Sequence, residues 1–222
     1  MIGEDPLWCL AAIGLTIDVM PEHPHTHYLP GMGHDRLIAL YDPLTWLLRI
    51  RRAHLRVLDR AGIRPGDRVL EVGCGTGNLA LLVKRELPNA EVRGIDPDPL
   101  ALARAARKAR RRGLDVRFDR GFAEAMPYED EAFDHVLSAF MLHHLDEPVQ
   151  ARMLEEARRV LRPGGTLTVV DFGGAGAPAR GRLATIVGDR VPALMRDAGF
   201  GRAAQVERRT TVLGPQAIWS GA

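Results

Sequence analysis

From Gly66 onward, short apolar runs alternate with longer stretches whose apolar residues recur every three or four positions. The short runs read as strands at 68–72, 91–95, 115–119, 133–139 and 166–171, and the longer stretches as helices at 77–87, 98–112 and 147–161. Alternation of this kind predicts a parallel sheet covered by helices on both faces. Arg162-Pro163-Gly164-Gly165 reads as a tight turn into the strand at 166–171. A Gly/Ala/Pro-rich loop at 173–181 then leads to a helix at 191–198. The chain ends in two strands separated by Leu213-Gly214-Pro215, an expected antiparallel edge hairpin.

Upstream, residues 33–61 carry a helical pattern with apolar Leu44, Leu47, Leu48, Leu55 and Leu58. Asp42-Pro43 reads as an N-cap followed by a first-turn proline, and Gly62 ends the segment. Pro21, Pro24 and Pro30 mark an extended linker before it. Residues 7–17 are apolar, but acidic Glu4 and Asp5 precede them and Asp18 closes them short of the roughly 18 residues of a membrane span. They read as a short helix or an upstream extension, neither a signal peptide nor an anchor. The expected organisation is an N-terminal extension and helical lid at 1–62, then an α/β domain at 63–222.

A length of 222 residues with 46% hydrophobic and 26% charged residues suits one generous soluble core and argues against disorder. The formal net charge of +2 does not demand a nucleic-acid partner. Arg104, Arg107, Lys108, Arg110, Arg111 and Arg112 form the one basic run, read as a solvated outer helix face. Two cysteines, Cys9 and Cys74, make no disulfide framework and fit a reducing cytoplasm. His23, His25, His27 and His34 lack the helix or cysteines that would align metal ligands, so no metal is expected.

The candidate chemistry begins at Val69-Leu70-Glu71-Val72-Gly73-Cys74-Gly75-Thr76-Gly77, an apolar strand running into a glycine-rich turn that opens a helix. Glycines let the backbone turn sharply and approach a ligand, and free N–H groups at a helix start can bond it. The G-x-G-x-G spacing differs from the G-x-G-x-x-G of a dinucleotide pyrophosphate site, and Glu71 would repel a diphosphate while tolerating a cation. A nicotinamide-dependent oxidoreductase is disfavoured on both counts. Asp96, nineteen positions after Gly77, ends the second strand where a carboxylate can hold both hydroxyls of an adenosine ribose. Cys74 sits at the helix start, a position that lowers a thiol pKa, and is expected to be a bystander.

These residues resemble the class I S-adenosylmethionine-dependent methyltransferases, specifically their small-molecule, methyltransferase type 11-like branch. The resemblance runs from about Arg64 to Phe200. It is carried by Glu71 to Gly77, Gly94-Ile95-Asp96, Ala123 to Tyr128, Phe133-Asp134, Leu142-His143-His144-Leu145, Leu161 to Gly165 and Asp197-Ala198-Gly199-Phe200. It implies a Rossmann-like doubly wound sheet of seven strands, mostly parallel with an antiparallel last strand, under an N-terminal helical lid. It further implies S-adenosylmethionine as methyl donor, leaving S-adenosylhomocysteine.

By position, the resemblance sets Glu71, Gly73 and Gly75 beside the methionine part, Asp96 on the ribose, Pro97 on one face of the adenine and the Ala123 amide on its ring, with Cys74, Gly77 and Ala139 also among the cofactor-binding residues. Phe122 stands where the family usually has an aspartate, and its ring would flank the adenine instead. His143 and His144 resemble a pair common in the family and, with Tyr41 from the lid, are the candidate catalytic residues. Tyr28, His34 and Trp46 would share that lid. Methyl transfer is an in-line displacement in which alignment supplies much of the rate, so the acceptor's acidity decides whether a base is needed. The expected acceptor is a small-molecule metabolite, with a homodimer compatible. RNA or protein methylation, and a non-catalytic binding protein of the same fold, are the alternatives.

Overall fold

The computed structural model describes residues 50–173, 186, 188–211 and 214–222. The expectations for the lid, the linker, residues 7–17, Tyr28, Tyr41, Trp46, Cys9 and the four upstream histidines therefore lie outside the described residues. So does most of the loop at 173–181.

The described chain opens with helix α1 (Ile50–Ala61), then runs β1 (Arg68–Val72), α2 (Asn78–Glu86), β2 (Glu91–Asp96), α3 (Pro99–Arg112), β3 (Val116–Arg120) and β4 (Phe133–Ala139). A 3-10 turn (Leu142–His144) precedes α4 (Glu147–Val160), β5 (Leu161–Phe172), α5 (Arg190–Asp197), β6 (Ala203–Thr211) and β7 (Gly214–Gly221). The strands form one seven-stranded sheet in the order β3-β2-β1-β4-β5-β7-β6. Strands β1 to β5 are parallel to one another, and β7 lies antiparallel to both β5 and β6. The fold is the expected Rossmann-like one. The strand order reverses between β1 and β4, so a crevice opens beyond their carboxyl ends.

Both sheet faces are buried. Leu70, Val72, Val136, Val169 and Trp219 pack with Met153, Leu154 and Ala157 of α4 and Val191 and Met195 of α5. Val69, Val92, Leu137 and Val170 pack with Ala53 and Val57 of α1 and Leu79 and Val83 of α2. Local signals set both ends of α3: Asp98 caps it by accepting from the amides of Leu100 and Ala101, Pro99 opens the helix, and Gly113 closes it in the left-handed region. Helix α1 is fastened to the far hairpin, where Arg56 and Arg60 both pair with Glu207. No helix among the described residues is long and apolar enough to cross a membrane.

Several boundaries differ from the sequence reading, most of them by one residue, and β5 starts earlier, at Leu161. Strand β3 lies one residue later than expected. The turn at 162–165 falls inside β5: Leu161 pairs with Phe133 and Thr166 with His135, so four residues bulge out opposite Asp134. Gly164, at φ 78°, makes the bend, and Arg162 Nε meets the Asp134 carboxylate at 2.6 Å.

Candidate active site

The glycine loop is shaped by backbone alone. Gly73, Gly75 and Gly77 all have left-handed φ, at 70°, 50° and 74°. The amides of Gly73 and Cys74 both donate to the Ile95 carbonyl, at 2.9 and 3.0 Å, lashing the loop to the end of β2. A Cβ on Gly73 would come within 2.2 Å of Met141 Cγ, and one on Gly77 within 2.8 Å of the Phe118 ring, whereas a Cβ on Gly75 would meet open space. The loop is therefore closed behind and open at Gly75.

Two buried carboxylates brace it. Asp96 accepts the Gly75 amide at 2.7 Å and the Asp98 amide at 2.9 Å, one on each oxygen. Each oxygen keeps a lone pair for a hydroxyl donor. Glu71 accepts the Ala80 amide at 2.7 Å in the first turn of α2. Burial, reinforced by the nearby Asp96, pushes Glu71 up to about 8, and burial also raises Asp96. The buried Cys74 thiol is pushed up by burial with Glu71 and Asp96 beside it, which corrects the lowered pKa expected at a helix start.

Lys108 corrects a second expectation. Its ammonium donates to Thr76 Oγ1 at 3.0 Å and Asn78 Oδ1 at 2.8 Å, so this member of the basic run turns in beneath the loop instead of facing solvent. The side chains of Arg107, Arg110, Arg111 and Arg112 do lie outside.

Beyond β3 the chain returns to Asp96, where the Gly121 amide approaches the Asp96 carbonyl at 3.3 Å. Phe122 and Ala123 are thereby brought beside Asp96 and Pro97. Phe122 is 41% exposed, and Ala123 is half-buried against the core. Arg159 of α4 holds this stretch by donating to the carbonyls of Met126 at 3.0 Å and Tyr128 at 2.7 Å, and Glu156 accepts the Met126 amide at 2.8 Å. Ala139 ends β4, paired with Val170.

After Ala139 the backbone kinks. Phe140 has φ 55°, uncommon for a residue with a side chain, and its amide donates to the Val170 carbonyl at 2.8 Å. Met141 then lies over Gly73, setting the 3-10 turn against the glycine loop. Gln150 of α4 holds both ends of that turn, donating to the carbonyls of Leu142 and Leu145 at 3.0 Å each. His143 and His144 stand with ring centroids 4.0 Å apart. The Asp171 carboxylate contacts His143 Nδ1 at 2.6 Å and accepts the His143 amide at 3.1 Å.

The structure sets Glu71, Gly73, Cys74, Gly75, Gly77, Asp96, Pro97, Phe122, Ala123 and Ala139 at or just beyond the carboxyl ends of β1 to β4, with His143 and His144 in the turn that follows β4. Sequence reasoning missed Lys108, Gln150 and Asp171. The available signal for Asp171 was a charge closing an otherwise apolar strand. No group of His, Cys, Asp or Glu among the described residues is arranged to hold a metal.

Residues 69–165 match the family model described as a methyltransferase domain. The chain is 43% identical over 138 residues to a demethylmenaquinone methyltransferase of Thermus thermophilus, covering 62% of this chain and 59% of that relative. It is 34% identical over 200 residues to a 27-O-demethylrifamycin SV methyltransferase of Amycolatopsis mediterranei, covering 77% of this chain and 72% of that one. Among solved structures it is similar to the [4+2]-cyclase SpnF, at 33% identity and a TM-score of 0.61, over 70% of this chain and 59% of that chain. The chain spans about three fifths of the length of the Thermus relative.

Proposed function

The chain belongs to the class I S-adenosylmethionine-dependent methyltransferase family, and from that premise we propose that it moves a methyl group from S-adenosylmethionine to an O, N or C atom of a small-molecule metabolite. One observation carries the reading: three left-handed glycines at the switch point of the sheet, with Asp96 reaching across to the Gly75 amide. Residues of this kind fit the donor. Asp96 would hold the ribose hydroxyls, and Glu71, Gly73, Cys74, Gly75 and Gly77 would line the methionine part. Pro97, Phe122 and Ala123 would enclose the adenine, and Ala139 would border the site at the end of β4. When bound, the donor supplies an electrophilic methyl carbon on a sulfonium.

His143 and His144 would face the acceptor. A small acceptor is supported by the relatives, which are methyltransferases of demethylmenaquinone and of 27-O-demethylrifamycin SV. A folded RNA or protein acceptor draws less support, because Lys108 turns inward and net charge is only +2.

A second reading, binding of the donor without methyl transfer, is favoured by the likeness to a cyclase and by Phe122 in place of a carboxylate. Titration calorimetry with S-adenosylmethionine and S-adenosylhomocysteine, on wild type and Asp96→Ala, tests the site. Micromolar binding that is lost in the variant is expected. Absence of binding by folded wild type would reject both readings, and binding with no turnover across an acceptor screen would favour the second.

A further inference from the structure

The segment after β3 is fixed where it passes Asp96. The Gly121 amide donates to the Asp96 carbonyl at 3.3 Å, and a Cβ on Gly121 would come within 2.7 Å of Ile95 Cδ1, so the chain runs close against β2. Arg120 Nε donates to the Pro97 carbonyl at 3.3 Å, and a bridge between Phe122 and Ala125 closes the next turn. The Phe122 backbone is thereby held on both sides, yet the residue is 41% exposed. Of the three large apolar residues exposed among the described residues, two, Leu100 and Phe122, belong to the segments that meet here. The neighbouring carboxylates are already engaged. Asp98 accepts the amides of Leu100 and Ala101, and Asp119 accepts the Tyr128 hydroxyl at 2.9 Å with Arg93 beside it. The Ala123 amide donates to no group among the described residues. Next to Asp96 the segment therefore presents one amide donor and an apolar surface open to water.

Resting on the donor site proposed above, we infer that Phe122 sets the base specificity of that site: the protein holds a purine by apolar contact and one ring nitrogen and does not read the 6-amino group, so it accepts donors that lack this group or carry an alkyl substituent on it. An amide N–H can donate to a purine ring nitrogen. The 6-amino group is itself a donor, and neither an amide N–H nor a phenyl edge offers it a lone pair. The exposure of Phe122 leaves water to take that bond, as it does for the free ligand, so removing the group costs little. Contact between the phenyl ring and the base does not depend on the 6-substituent. A carboxylate at the same position would act in the opposite way, because its charge-assisted hydrogen bond would favour the amino form and be left unpaired against a base without it. Glu124 is the only carboxylate in residues 120–128.

The test measures, by titration calorimetry, the binding of S-adenosylhomocysteine, of its purine analogue lacking the 6-amino group and of its N6-methyl analogue. The proteins are wild type, Phe122→Asp, Phe122→Ala and Glu124→Gln, each checked for folding by thermal melting. In wild type the three dissociation constants are expected to lie within about threefold of one another. Phe122→Asp should weaken the deaminated analogue relative to S-adenosylhomocysteine by about tenfold or more. Phe122→Ala should weaken all three ligands alike, by about fivefold or more. A wild type that prefers S-adenosylhomocysteine over the deaminated analogue by about tenfold or more overturns the proposal, and loss of that preference in Glu124→Gln would name the carboxylate that reads the base instead. Affinities unchanged in Phe122→Ala, or a ratio unchanged in a folded Phe122→Asp, also overturn it, since Phe122 would then not touch the base. If Phe122→Asp does not fold, the wild-type ratios and Phe122→Ala still decide. Failure of wild type to bind S-adenosylhomocysteine at all would instead strike the donor site itself.

Discussion

Gly73 and Gly75 stand two residues apart and share a left-handed φ, yet they differ in what a side chain would meet. At Gly73 the space is filled by Met141, and at Gly75 it is open. Gly75→Ala should therefore cost only the backbone penalty of about 1 kcal/mol while its methyl group intrudes on the donor. Gly73→Ala adds a steric clash and should lower thermal stability by more. Calorimetric binding and Tm measured together on the two variants will separate the effects: affinity lost at near-native Tm for Gly75→Ala, and both lost for Gly73→Ala. A Gly75→Ala variant that binds normally would remove the loop from the donor site. The turn itself was legible in the sequence because a strand, three glycines and a helix start are contiguous. What lies opposite Gly73 and Gly77 was not, since Met141 arrives from the turn after β4 and Phe118 from β3.

At the scale of elements, α1 brings a buried imidazole into the core. His54 lies 6.3 Å from the Phe140 ring, and burial, with Lys108 adding to it, lowers its pKa from 6.5 to about 4. A depressed histidine pKa means the folded state holds the neutral form. Its contribution is present above pH 6.5 and is lost as pH falls towards 4, amounting to about 3 kcal/mol. Thermal melts of wild type should therefore steepen in their pH dependence between 6.5 and 4, and His54→Leu should flatten it. An unchanged slope would mean that His54 titrates in the fold as it does in the unfolded chain. The amphipathic pattern of α1 was readable, but its burial was not, because the covering residues Phe140 and Lys108 belong to other elements. Helix α3 makes the same point: its basic run looked uniformly solvated, yet the rotation that buries Ala101, Ala105 and Ala109 carries Lys108 under the glycine loop.

Over the whole molecule, the sheet order decides which charges meet. Glu71 and Asp96 end adjacent strands, so their carboxylates share one buried end of the sheet and burial lifts Glu71 to about 8. A carboxyl raised in this way favours the protonated fold, so its contribution is present below about pH 4.5 and is lost as pH rises through 8. Arrival of a cationic sulfonium reverses that preference. Binding of S-adenosylmethionine near pH 7 should therefore release protons, detectable as a dependence of the binding heat on buffer ionisation enthalpy. S-adenosylhomocysteine, lacking the sulfonium charge, should release fewer, and Glu71→Gln should erase the difference. Equal release by both ligands would show that Glu71 does not sense the donor. The sequence by itself determined the strand and helix alternation and the glycine turn, because each arises within a few consecutive residues whose spacing is set by local backbone geometry. Only the tertiary structure decided the partners that lie 28, 32 and 33 positions apart, His143 with Asp171, Thr76 with Lys108 and Met126 with Arg159. Those pairs exist because parallel strands fold back past intervening helices, and no local pattern records which strand will lie next to which.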